Sequence, residues 1–167
     1  MFPRGFLVSF LLAILVAGLW FILPNAAVEA ADIDPYVLRY LRVKEPVELP
    51  LDGQGHVKQF TAQELSRGKR FFEQNCINCH VGGTTLPDPR VSLSLSDLAG
   101  ATPPRDNINS LVAYMRKPMV YDGSEPSFWC REVPASWLKQ KEVENLAAFL
   151  LRAAQTAPGW GTEKFDQ

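Results

Sequence analysis

The chain has 167 residues, 47% of them hydrophobic and 21% charged, with 17 Lys and Arg against 18 Asp and Glu. These figures describe one domain of ordinary globular composition. A formal charge of -1, with acidic and basic residues interspersed and no block of five like charges, speaks against a nucleic-acid partner.

Residues 1–31 stand apart from the rest. Arg4 precedes an apolar run over residues 6–23, and small residues follow around Val28-Glu29-Ala30-Ala31. This pattern predicts a secretory signal peptide cleaved after Ala30 or Ala31, leaving a domain over residues 32–167 of about 136 residues. The competing expectation is an uncleaved anchor, because the run approaches the length of a minimal span. Membrane association of the remaining domain is expected to be peripheral at most.

Residues 32–46 mix apolar and charged side chains between prolines and predict a short helix on the surface. Next, Val47-Glu48-Leu49-Pro50-Leu51 and His56-Val57-Lys58-Gln59-Phe60 flank the turn-forming Asp52-Gly53-Gln54-Gly55, which predicts a β-hairpin. Pro50 has no N–H to give a ladder, so its strand belongs at an edge. Thr61 then opens a helix, and Glu64 is placed to complete a capping box. Leu65, Gly68 and Phe72 share one stripe of that helix. A glycine inside a helix is costly, so Gly68 is expected to admit the close approach of another helix.

This helix runs into Phe71-Phe72-Glu73-Gln74-Asn75-Cys76-Ile77-Asn78-Cys79-His80, in which two cysteines stand three apart and a histidine follows the second. That is the attachment pattern of a c-type haem. Residues i and i+3 of a helical turn project to one side, so Cys76 and Cys79 can both form thioethers with one porphyrin edge. His80 would be the proximal iron ligand, since neutral imidazole nitrogen binds iron well. A redox Cys-x-x-Cys would need a strand leading into its helix, and a structural zinc site would need a second ligand pair that the chain lacks. The cofactor expected is therefore one covalent haem c.

Val81-Gly82-Gly83-Thr84-Thr85-Leu86-Pro87-Asp88-Pro89 follows as an irregular loop, and a carbonyl of Pro87 or Pro89 is expected to hold the non-ligating nitrogen of His80. Leu93, Leu95 and Leu98 make a short apolar segment. A helix starts with Asp106 or Asn107 as cap, buries Ile108, Leu111, Val112 and Met115, and stops before Pro118. Tyr121-Asp122-Gly123 reads as a turn, and the loop between Pro126 and Pro134 holds Phe128, Trp129 and Cys130. A last amphipathic helix is predicted from about Lys139 to Ala154, followed by an irregular tail. The sum is a small all-α organisation in which a porphyrin supplies much of the core.

With His80 assigned, the candidates for the other face of the iron are His56, Met115, Met119 and Cys130. His56 sits in the hairpin as a solvent-facing residue. Met115 lies on an apolar stripe, where methionine commonly fills gaps, and Met119 follows Pro118 in a loop. Cys130 is the cysteine left over from an odd count of three. As a thiolate it would stabilise ferric iron and lower the potential, with Phe128 and Trp129 beside it to exclude water. The alternatives are a reduced, buried cysteine acting as a small hydrophobe, or an intermolecular disulfide.

Several segments together resemble the cytochrome c-550 family, the low-potential extrinsic cytochromes of photosystem II. They are the run over residues 49–72, Cys76-Ile77-Asn78-Cys79-His80-Val81-Gly82-Gly83, Ala101-Thr102-Pro103-Pro104-Arg105-Asp106-Asn107-Ile108, Tyr114-Met115 and Tyr121-Asp122-Gly123. The resemblance implies a class I cytochrome c fold around one covalent haem, a small N-terminal hairpin and a thylakoid-lumen location. It also implies two axial histidines, the second shortly after Tyr-Asp-Gly and followed by proline. Here that stretch reads Phe128-Trp129-Cys130-Arg131-Glu132-Val133-Pro134, and no histidine follows His80. The resemblance thus points to Cys130 as distal ligand, as in a c-550-like paralogue. The ending Phe165-Asp166-Gln167 also departs from the family's tyrosines, and both departures weigh against stoichiometric docking to photosystem II.

Three roles follow as expectations. The first is a lumenal electron carrier, not an enzyme, serving a soluble redox partner or the lumenal face of photosystem II. The second is a structural extrinsic subunit of that complex. The third is a haem-thiolate sensor or weak peroxidase whose Cys130 bond opens.

Overall fold

Two helices that meet at a glycine carry the frame into which the other elements fit. The computed structural model describes residues 33–87 and 90–162, which fall in the unit Asp32–Gln167. The leader expected over residues 1–31, Pro89 and the chain's last five residues lie outside the described residues.

Helix α1 (Pro35–Arg39) starts where Asp34 accepts a hydrogen bond from the Tyr36 N–H at 2.7 Å and Pro35 fills the first turn. It was expected on the surface, but Val37, Leu41 and Val43 are fully buried. The reason is its anchoring: Asp34 N–H donates to Ser66 Oγ at 3.0 Å, and Lys69 Nζ lies 2.8 Å from Asp34 Oδ2. These bonds roll the apolar side of the segment onto the following helix.

Strands β1 (Val47–Pro50) and β2 (Val57–Phe60) form the predicted antiparallel hairpin, in register from Val47 opposite Phe60 to Pro50 opposite Val57. Asp52 closes its turn by accepting from the Gln54 N–H at 2.9 Å. Leu49 and Phe60 enter the core, while Lys58 pairs with Glu144 of the last helix.

Helix α2 (Ala62–Asn75) opens on the expected capping box: Thr61 Oγ1 accepts from Glu64 N–H, and Glu64 accepts from Thr61 N–H at 3.0 Å. Helix α3 (Leu95–Gly100) is capped by Ser94 and buries Leu98. Helix α4 (Ile108–Arg116) is capped by Asn107 and buries Ile108, Leu111, Val112 and Met115, the four residues predicted. Helix α5 (Gln140–Thr156) buries nine side chains along its length. It packs on α2 at Gly68, where an added Cβ would collide with the Asn145 carbonyl and stand 2.9 Å from Phe149 Cβ. The close helix approach expected of Gly68 is thus observed.

Candidate functional site

The haem-motif segment begins where α2 ends. Cys76 is the C-cap of α2, its N–H donating to Phe72 O at 2.8 Å. The expectation placed Cys76 and Cys79 on one helical turn; helix α2 ends at Asn75, and a separate hydrogen-bonded turn carries the two cysteines. Cys79 and His80 both donate their N–H groups to the Cys76 carbonyl, at 3.1 and 3.0 Å. The turn keeps both thiols and the imidazole on one cleft, so a change of local geometry preserves the facing that the spacing called for.

Beyond His80 the chain doubles back, with Leu86 N–H on Cys79 O at 2.9 Å. Gly82 and Gly83 have φ of +59° and +80°, where a side chain is strained. Gly83 also lies against the Trp160 indole, at 2.6 Å from where a Cβ would sit. Trp160 in turn donates its indole N–H to Leu93 O at 3.0 Å and packs on Phe72 and Phe149, with ring centroids 5.5 and 5.8 Å away. The tail expected to be irregular therefore supplies an aromatic that braces the loop beneath His80. The missed signal was a large aromatic set between two glycines.

The cleft measures about 1100 Å³ with its open mouth included. Cys76, Cys79 and His80 line one part of it. Tyr114, Met115, Met119 and Cys130 line another, and Phe72, Leu98, Leu111 and Leu150 give it an apolar floor. His56 is not among the lining residues. It is exposed on the hairpin, with Nδ1 2.8 Å from Asp52 Oδ2. The structure thus removes the one nitrogen candidate for the second axial position and leaves three sulfur donors in the cleft. Phe128 and Trp129 do not shield Cys130 as expected: they are 91% and 71% exposed, and only Trp129 reaches the cleft wall. Irregular backbone turns the Phe128 side chain out to solvent.

Burial in the cleft favours the uncharged form of Cys76, His80 and Cys130. Burial holds the His80 imidazole below its ordinary pKa, opposed by a hydrogen bond with the Thr84 backbone, and so favours the neutral, metal-binding form of the ring. Its Nδ1 lies 3.0 Å from Thr85 Oγ1, where a carbonyl of Pro87 or Pro89 was expected; Pro89 lies outside the described residues. Burial, then the neighbouring Cys130 and Cys79, push the Cys76 thiol up to about 11. Burial also raises the Cys130 thiol, opposed by a hydrogen bond from Tyr114 and the charge of Arg105. Sequence reading had given Thr85, Tyr114 and Arg105 no role. An apolar floor, two thiols three apart, a neutral imidazole and soft sulfur donors in one cleft fit a covalently held haem.

The comparisons with known proteins agree. The cytochrome c-550 domain model matches residues 39–167. A cytochrome c-550-like protein of Thermosynechococcus vestitus is 60% identical over 154 residues, covering 92% of this chain and 87% of that protein. Photosystem II extrinsic protein V of Gloeobacter violaceus is 57% identical over 137 residues, covering 82% of this chain and 74% of that protein. Among solved structures, the PsbV2 cytochrome of Thermosynechococcus elongatus superposes with a TM-score of 0.77 at 62% identity, over 78% of this chain and 99% of that one. Cytochrome c549 gives 0.55 at 32% identity, over 65% of this chain and 90% of that one. With its helices, hairpin and haem cleft matched in this way, the chain belongs to the cytochrome c-550 family, has a class I cytochrome c fold and binds haem c covalently.

Proposed function

We propose that this cytochrome is a low-potential electron carrier of the thylakoid lumen with histidine and cysteine as axial ligands. The bound haem supplies a one-electron ferric/ferrous couple. Cys76 and Cys79 tether it through thioethers, and their short turn after α2 sets where it enters the cleft. His80 is the proximal ligand, its ring oriented through the Thr85 hydroxyl. Cys130 is the distal ligand. The observation that carries this reading is that Cys130, from the loop after α4, lines the same cleft as His80, whereas the chain's other histidine, His56, is exposed on the hairpin outside that cleft. An anionic sulfur donates strongly and favours the ferric state, which makes the potential low. Replacing Cys130 with Ser should abolish the thiolate-to-iron charge-transfer absorption and raise the midpoint potential. A spectrum unchanged by Cys130→Ser would end the ligand reading.

A second reading has its own support, since the Gloeobacter violaceus relative is named as an extrinsic protein of photosystem II. In it the chain docks on the lumenal face of that complex and its haem hardly cycles. The Cys130 side chain favours the first reading, because a purely structural haem gains nothing from a ligand that shifts its potential.

A further inference from the structure

Among the described residues, Arg105 is the one positively charged side chain that lines the haem cleft. Its place is fixed from backbone to tip. The Arg105 N–H donates to Leu98 O at 2.8 Å, Nη2 donates to Met119 O at 3.1 Å and to Val120 O at 2.7 Å, and the guanidinium carbon lies 3.9 Å from the Tyr114 ring centroid. Nη2 thus gives both of its hydrogens to carbonyls, while Nε and Nη1 have no acceptor among the described residues. Nor does any described carboxylate pair with Arg105. Asp97 of α3, the one carboxylate in the cleft lining, accepts instead from the Ser92 N–H at 3.1 Å and from Ser92 Oγ at 2.6 Å. A fixed cation with donors to spare, beside an apolar floor, calls for an anion that the protein does not provide.

We propose that Arg105 is a cofactor-binding residue that holds a propionate of the haem. The propionates are the carboxylates that haem c brings into the cleft, and the planar guanidinium fork matches a carboxylate. The proposal rests on the covalent haem and does not depend on which residue takes the distal position. Anchored by two carbonyls and a ring, Arg105 offers its remaining N–H groups without having to be ordered first. Its charge favours the ionised carboxylate. Ferric iron favours that form more than ferrous iron does, so the midpoint potential falls as pH rises through the range in which the propionate ionises. Arg105 moves this range to acid and so keeps the potential level across neutral pH. Apart from the haem-attaching and ligand positions, the other titratable side chains of the cleft are Tyr114, Tyr121 and Asp97. Of these, only Asp97 can change charge in the same acid range.

Holoprotein whose haem is isotope-labelled at the propionate carboxyls is titrated with pH and followed by infrared spectroscopy, with a redox titration at each pH. The label separates the propionates from Asp97. One propionate of the parent should ionise well below neutral pH. Arg105→Gln should move that ionisation to higher pH by about 1–3 pH units, and the fall in midpoint potential should move with it. Arg105→Lys keeps the charge and loses the fork to Met119 and Val120. It should melt below the parent, as Arg105→Gln does, yet keep the ionisation near the parent's. Ionisation at one pH in the parent and Arg105→Gln, or an equal displacement in the Gln and Lys variants, overturns the proposal. So does a parent in which every labelled propionate ionises at neutral pH or above, a result that needs no variant. The Cys130→Ser spectrum is a separate reading, so either assignment can fail while the other stands.

Discussion

Gly68→Ala tests the helix packing on which the cleft is built. By helix propensity alone the change stabilises, since alanine is favoured over glycine inside a helix by about 0.8–1.0 kcal/mol. Packing opposes it. The new Cβ would overlap the Asn145 carbonyl oxygen, lie 2.6 Å from its carbon and 2.9 Å from Phe149 Cβ. Carbon contacts relax at about 3.5–4.0 Å, so α2 and α5 must part by on the order of 1 Å. Two of the three obstructing atoms are backbone and cannot rotate aside. Overpacking of this kind costs about 1–3 kcal/mol, and a gap of that size forfeits a quarter to a half of the dispersion between the facing surfaces. The penalty exceeds the propensity gain, leaving a net loss of about 1 kcal/mol. At roughly 4 °C per kcal/mol for a domain of this size, the melting temperature should fall by about 4 °C. Far-ultraviolet circular dichroism of the holoprotein reads the shift directly. Gly53→Ala is the control, since no heavy atom lies within 4 Å of its added Cβ, and it should stay within about 0.5 kcal/mol of the parent. A Gly68→Ala protein that melts at or above the parent would refute the account of this packing.

Two further outcomes are expected. Trp160→Ala should destabilise by about 2–3 kcal/mol, below the value for a fully buried tryptophan because this one is half-buried. Trp160→Phe keeps the ring contacts, loses the bond to Leu93 O and should cost about 1 kcal/mol; equal melting of all three proteins would remove Trp160 as a brace. Washing of isolated photosystem II should release this cytochrome if it is a mobile carrier, whereas stoichiometric retention would favour the structural reading.

Features written in neighbouring residues were legible before any fold was known. The Thr61–Glu64 capping box, the Asn107 cap, the hairpin around Asp52 and the Cys76–His80 motif each depend on a few consecutive side chains. Gly68 was legible for a different reason: its cost inside a helix demands a compensating contact, even though the contact itself is nearly eighty residues away. What stayed hidden depends on tertiary contact. Val37, Leu41 and Val43 are buried because Asp34 ties their segment to Ser66 and Lys69. Trp160 has no periodicity around it to mark it as core. Tyr114 carries Arg105 over its ring and lines one cleft with Cys130, and no local pattern announces such a meeting. Phe128 misled in the opposite sense, since an aromatic beside a candidate ligand turned out to face solvent.

The two parts of the cleft are held by different means, and this bears on where the cytochrome's chemistry can change. His80 follows a helix whose packing on α5 is fixed at Gly68 and extended through Phe72, Phe149 and Trp160. A change there disturbs the core, because each ring contacts two others. Cys130 sits in a loop with no regular structure of its own, secured at its edges by arginine. Arg116 donates to Val133 O at 2.6 Å and to Leu138 O at 2.8 Å, and Arg105 holds the Met119 and Val120 carbonyls. These bonds go to backbone carbonyls and do not depend on which side chain stands at position 130. A residue there can be exchanged without repacking a helix, so, with position 130 as the proposed distal ligand, iron ligation can differ between relatives that share one frame. On this account Cys130→Ser should change the spectrum strongly and the melting temperature by little more than the lost iron bond requires, whereas Gly68→Ala should do the reverse.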